Sequence, residues 1–255
     1  MHRLFALALA LAALSGPALA ADEEIQVYMD DMDKPGQFGL DVHNNYVFTG
    51  DGALDYPGEM SSLHRYRLTP EWSYGLTKDI ELGLYLPLTT IDSAGHFEAD
   101  GLKGRIKWIA PRPDDQTWFW GLNLEIGRVS HALDINPWNG ELKGIWGIRR
   151  GRWTVAFNGN LDWAISGPQI TPATLDFDTK VAYSLTKTFA VGFESYNGAG
   201  TFKQFGRFGS NDEALYGAVD TSLGKWDLNL GLGHGYGGAR DGWVGKVIVS
   251  VPIDN

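Results

Sequence analysis

From Phe38 to the end of the chain, apolar and polar residues alternate almost one by one, and no apolar stretch after residue 20 approaches the length of a membrane-spanning helix. A period of two belongs to a β-strand, whose successive side chains point to opposite faces; a helix would repeat every 3 or 4 residues. A helical span needs about 20 apolar residues in a row. The pattern predicts an all-β chain. Twelve segments carry it: 37–48, 63–74, 79–88, 101–110, 117–127, 138–148, 152–163, 174–183, 189–197, 212–222, 226–235 and 242–251. In the third, Ile80, Leu82, Leu84 and Leu86 alternate with Glu81, Gly83, Tyr85 and Pro87; in the fifth, Trp118, Trp120, Leu122, Leu124 and Ile126 alternate with Phe119, Gly121, Asn123 and Glu125. The tenth and twelfth have ambiguous faces.

The connections sort by length. Tight turns at 75–78, 111–116, 149–151, 184–188 and 224–225 alternate with longer stretches near 49–62, 89–100, 128–137, 164–173 and 198–211, and a shorter one at 236–241. Short turns on one rim, long loops on the other and an even strand count make the pattern of a bacterial outer-membrane barrel. The fold expected is a closed antiparallel transmembrane β-barrel of about twelve strands over 37–255. Both termini then fall on the short-turn rim, expected to be periplasmic.

Alternation alone does not say which face is wet, and a soluble two-sheet sandwich shares it. Size argues for an apolar outside, since strands about 4.8 Å apart and tilted about 40° close twelve at a diameter of roughly 23 Å, too wide to fill with one layer of side chains. The other face is rich in charge and glycine, as a wet lumen is. The ten tryptophans all fall near segment ends: Trp72, Trp108, Trp118, Trp120, Trp146, Trp153 and Trp226 towards the short turns, and Trp138, Trp163 and Trp243 towards the long loops. Two belts of amphipathic rings at headgroup depth account for that placement, with outer-membrane lipid as the partner.

Met1 to Ala20 has a basic start at Arg3, an apolar run to Leu14, a break at Gly16-Pro17 and an Ala18-Leu19-Ala20 end, the layout of a secretory signal peptide. Export and the absence of cysteine leave no disulfides to stabilise the mature chain. The segment 21–36 is acidic, with Asp22, Glu23, Glu24, Asp30, Asp31 and Asp33 against a single lysine. It is expected as a solvated periplasmic tail, the alternative being that it folds into the basic part of the lumen and plugs it. With 31 acids against 21 bases and a net charge of -10, a nucleic-acid partner is not expected.

Three stretches carry a family resemblance: Glu24-Ile25-Gln26-Val27-Tyr28, Leu68 to Thr77 (LTPEWSYGLT) and Gly121 to Gly127 (GLNLEIG). They resemble proteobacterial outer-membrane β-barrels grouped with the MetA-pathway phenol-degradation family. The resemblance implies an outer-membrane barrel and a channel for small aromatic compounds. Outer-membrane barrels usually close on Phe or Trp for recognition by the barrel-assembly machinery, the expected assembly partner, whereas this sequence ends Val251-Pro252-Ile253-Asp254-Asn255.

With the apolar face outward, a charge cluster is expected in the lumen: Arg65, Arg67, Glu71, Glu81, Lys103, Arg105, Lys107, Glu125, Glu141 and Lys143. A basic fourth strand between acid-bearing third and fifth strands predicts cross-strand ion pairs, which either rigidify the wall or select solutes by sign. Asp162, Asp176, Asp178, Lys180, Glu194, Asp227 and Lys246 lean acidic in the second half, and a field across the lumen is expected. Tyr85, Phe119 and Tyr196 point inward as well. No cofactor or metal is expected: the histidines are not at metal-binding spacings, and Asp30-Asp31-Met32-Asp33 lacks a calcium-loop pattern. A lipid-modifying enzyme would need a nucleophile and base near the rim, and only Ser61-Ser62 before His64 offers one. The function expected is a passive channel for small solutes, aromatic or hydrophobic ones among them, in the outer membrane of a Gram-negative bacterium. The alternatives are a non-conducting structural or surface-binding barrel and, after that, the enzyme.

Overall fold

A computed structural model of the chain describes residues 24–253. The signal peptide expected over 1–20 and the last two residues lie outside these. There are thirteen strands and, among the described residues, no α-helix: β1 Phe38–Val47, β2 Tyr66–Gly75, β3 Ile80–Ile91, β4 Phe97–Ile109, β5 Trp118–Val129, β6 Trp138–Arg150, β7 Trp153–Ser166, β8 Thr174–Ser184, β9 Phe189–Thr201, β10 Gln204–Phe205, β11 Asp212–Leu223, β12 Trp226–Gly237 and β13 Trp243–Pro252. Each of the twelve long strands lies antiparallel to its neighbours, and β1 closes the ring by pairing with β13 (Val42 opposite Val249) as well as with β2. The two-residue β10 folds back on β9 inside a long loop. Closure pairs both edges of each of the twelve long strands, the condition for a sheet to survive in lipid.

The exposed face is the apolar one. On β5, Leu122, Leu124 and Ile126 are 42%, 38% and 45% exposed, while Asn123 and Glu125 between them are 0% and 4% exposed. A soluble sandwich would bury the first set and expose the second. Outward-facing aromatics pair near the rims: Trp108 with Trp120 at 5.1 Å and Trp153 with Tyr183 at 4.8 Å on the short-turn side, and His234 with Trp243 at 4.9 Å on the long-loop side. Trp72, Trp118, Trp138, Trp146, Trp153, Trp226 and Trp243 are exposed, Trp108 is half-buried, and the ring of Trp163 lies against Gly140.

The β3–β4 connection is shorter than the sequence predicts, since the strands run on to Ile91 and resume at Phe97. Two register shifts cause the difference, one between Tyr85 and Leu88 and one between Leu88 and Thr89. Each breaks the alternation while pairing continues, so the pattern ends before the strand does. Pro70 and Pro87 lie where the β2–β3 ladder skips from Leu68 to Glu71, and neither has an N–H to donate. Gly101 takes the matching irregularity on β4 at φ 152°, where a Cβ would run into the Arg128 carbonyl.

The N-terminal segment is not a free tail. From Gly36, whose N–H bonds the Gly75 carbonyl at the short-turn rim, the chain turns into the barrel and reaches mid-lumen at Glu24. Its alternate apolar residues explain the course: Ile25 and Val27 are buried, as is Tyr28. Val27 and Tyr28 pack on the lumen residues Ile109, Phe119, Ile145 and Ala156, and Ile25 on Val47, Tyr216 and Val244. Burying such side chains stabilises by about 1.5–3 kcal/mol each, a gain that a tail in water forgoes.

Candidate functional site

The lumen is the one interior the fold encloses, and the segment 24–34 crosses it. Asn158 on β7 grips the main chain at Tyr28 from both sides, its Oδ1 accepting from the Tyr28 N–H at 2.6 Å and its Nδ2 donating to the Tyr28 carbonyl at 2.9 Å. From the far wall, Lys246 on β13 donates to the Ile25 carbonyl at 2.8 Å. Lys107 on β4 donates to the Asp31 carbonyl at 2.5 Å, Glu81 accepts the Asp33 N–H at 2.5 Å, and Ser73 donates to the Asp33 carboxylate at 2.5 Å. The Tyr28 hydroxyl meets the Tyr85 hydroxyl at 2.5 Å, and Lys143 holds its ammonium 4.5 Å from the Tyr28 ring. Hydrogen bonds with charged partners are worth about 1.5–3 kcal/mol each, so the segment is held as a part of the wall.

At the short-turn rim the segment is tied by charge. Asp30 receives Arg149 at 2.8 Å and also Arg112, and Arg149 reaches Asp31 at 3.1 Å. Burial alone would raise the Asp30 pKa, but Arg149 and Arg112 outweigh it and hold the carboxyl below its ordinary range.

The expected charge cluster is spread along the lumen wall from mid-barrel to the long-loop rim. Arg105 sits at its centre, donating from Nε to Glu71 and from Nη2 to Glu81 at 2.8 Å. Lys143 pairs with Glu141 at 2.9 Å. Glu125 accepts from Asn123 at 2.7 Å and from the hydroxyls of Tyr28 and Tyr85 at 3.3 Å. Arg67 is buried in the wall, while Lys103 is half-buried beside a cavity. Arg65 stands apart at the long-loop rim, bonding the Ser61 carbonyl at 3.0 Å and Thr90 at 3.3 Å. In the second half, Lys180 pairs with Glu194 at 3.1 Å and Asp220 at 2.7 Å, and Lys246 also reaches Glu194. Lys180 stands opposite Glu194 on the neighbouring β8 and β9, and Lys246 completes the bridge from β13, a strand distant in sequence. Part of the charge in each half is paired locally, Arg105 with Glu71 and Glu81 in the first and Lys180 with Glu194 and Asp220 in the second.

The asymmetry runs along the axis. The segment divides the lumen into two cavities, one of about 580 Å³ towards the long loops and one of about 570 Å³ towards the short turns. Eleven carboxylates and two lysines line the first. Eight carboxylates with six lysines and arginines line the second. The long-loop cavity also carries apolar surface from Ile25, Tyr56, Leu133, Tyr196 and Tyr216. Tyr85 and Phe119 are buried, under Tyr28 and against Gly147 respectively, and are not open stacking surfaces.

The rim candidates for enzyme chemistry do not assemble. Ser62 bonds Asp241, Ser61 accepts from the Leu63 N–H at 3.2 Å, and His64, in the left-handed region at φ 58°, faces the Phe48 carbonyl at 3.1 Å.

The architecture is that of the outer-membrane β-barrels. No family model matches the chain, the MetA-pathway family included, and no curated protein matches it. Solved structures do. An outer membrane channel from Pseudomonas putida F1 superposes with a TM-score of 0.60 at 13% identity, covering 89% of this chain and 99% of that one. The KdgM porin, also solved in complex with disordered oligogalacturonate, gives 0.55 at 10% identity, over 85% of this chain and 99% of that one. The NanC porin gives 0.54 at 10% identity, over 85% and 100%.

Proposed function

We propose that the chain resides in the outer membrane of a Gram-negative bacterium, both termini periplasmic, and is a passive channel in which small solutes enter the acidic long-loop cavity and pass beside residues 24–33. The observation that carries this reading is the lining of that cavity, eleven carboxylates to two lysines. Such a ring of charge raises the local concentration of cations and repels anions. The apolar surface among the carboxylates suits a solute with a positive group and a flat or aliphatic body, which keeps aromatic compounds within the class. Fold likeness does not carry solute identity. The oligogalacturonate held by the KdgM porin is a polyanion, which this cavity would oppose.

Planar-bilayer recordings of the purified chain in a salt gradient test the reading. Stable conductance steps with a reversal potential on the cation side support it, and steps on the anion side overturn the selectivity. A silent bilayer favours the second reading, a structural barrel, for which the observation is the segment that fills mid-lumen.

A further inference from the structure

At the inner end of the N-terminal segment, three side chains from three separate pieces of chain converge: Glu24 from the segment, His43 from β1 and Glu71 from β2. One ligand-capable atom of each lies within 4.8 Å of the other two. His43 Nε2 is 3.3 Å from Glu71 Oε2, close to the roughly 3.4 Å that separates two ligands of a tetrahedral ion bound at about 2.1 Å. His43 and Glu71 are 2% and 1% exposed. Glu71 gives its other oxygen to Arg105, which fixes its orientation as an outer partner does for a metal-binding carboxylate.

The remaining polar atoms are not satisfied by the protein. Glu24 Oε1 and His43 Nδ1 are buried without a hydrogen-bonding partner among the described residues. Glu24 Oε2 accepts only from the Tyr28 hydroxyl, at 3.2 Å, and Glu24 makes no ion pair among the described residues. A carboxyl in such a place either keeps a proton or is met by a cation, and a cation that also satisfies His43 and Glu71 accounts for all three side chains. One imidazole nitrogen with two carboxylates is a donor set for zinc and its neighbours; calcium would demand six to eight oxygens, and magnesium an octahedron of them.

We propose that Glu24, His43 and Glu71 bind a divalent transition-metal ion of the zinc class, which latches the inner end of the N-terminal segment to the β1–β2 wall. The ion cross-links a residue of the segment to two residues of adjacent strands and so fixes the partition between the two cavities. Sequence spacing hides the site: the ligands stand 19 and 28 positions apart, and only the inward course of the segment brings them together.

Isothermal titration of the full-length protein in detergent, stripped with EDTA and then given zinc chloride, tests the site. One saturable site is expected, weakened at least about tenfold in Glu24→Gln and in His43→Gln; calcium and magnesium chloride should give none. Glu24→Gln alters no strand, so its barrel forms and its result stands even if His43→Gln fails to fold. A spin label at Gln26→Cys, specific because the chain lacks cysteine, should slow when zinc is added. No saturable zinc site, or a site unchanged in Glu24→Gln, overturns the proposal. Binding without any slowing of the label overturns the latch. Neither readout depends on conduction.

Discussion

The two cavities are nearly equal in size and lie in one bore, yet they hold their charges differently. On the short-turn side, bases nearly match acids, and the carboxylates Glu71, Glu81, Glu194 and Asp220 each meet a cation from a wall strand. On the long-loop side, carboxylates outnumber lysines, and much of the lining comes from the loops themselves, as at Asp55, Asp134 and Asp241. The first arrangement makes a rigid wall, since a buried ion pair resists loss of either partner far more than it adds net stability. The second leaves a field into the lumen. What separates them is a strip of chain about one strand wide.

Deleting residues 24–33 should produce the largest change, because it merges the two cavities: single-channel conductance in planar bilayers is expected to rise several-fold, and an unchanged step would mean that the segment does not limit flow. Next is Arg105→Ala, which strands Glu71 and Glu81 without their shared cation. About 3–5 kcal/mol of stability should be lost, seen as a lower temperature for the heat-induced gel-mobility shift, whereas Asp134→Asn should leave that temperature where it is. A smaller effect is expected from combining Asp134→Asn, Glu141→Gln and Asp162→Asn, which should move the reversal potential in a salt gradient towards zero without altering the step size greatly. Replacing Asp227 on the short-turn side should move it less.

The smallest effect concerns acid. Because Asp30 has a lowered pKa in the folded protein, its tie to Arg149 and Arg112 is present in full above the ordinary carboxylate pKa of about 3.9 and is lost as pH falls below that through the folded value. Current noise from a loosened segment should therefore appear only below about pH 4, and Asp30→Asn should show it at neutral pH. Noise that is the same in Asp30→Asn and the unaltered chain would separate the rim tie from the position of the segment.

The barrel was legible because lipid on one side and water on the other impose alternation over nearly the whole strand length, and all twelve segments correspond to strands. Legibility stopped where that constraint relaxes. The β3 and β4 ends were missed because register shifts beside Leu88 and Gly101 reverse the faces. The inward course of the segment was overshadowed by its acids, although the alternate apolar residues Ile25, Val27 and Met29 were in plain view; a tail meant for water has no use for them. Residue types on the lumen face were readable from parity. Pairings such as Lys246 with Glu194 were not, because distance across a closed bore has no trace in sequence separation.

Asn158 holds the N–H and C=O of residue 28, not its side chain. At that point the wall grips main chain, much as a strand grips its neighbour, while the Tyr28 side chain is met separately by Tyr85 and Lys143. The partition of the lumen is in effect an insert, and exchanging the side chains that it turns to the cavities, Gln26 among them, would retune what passes while leaving the twelve-stranded frame untouched.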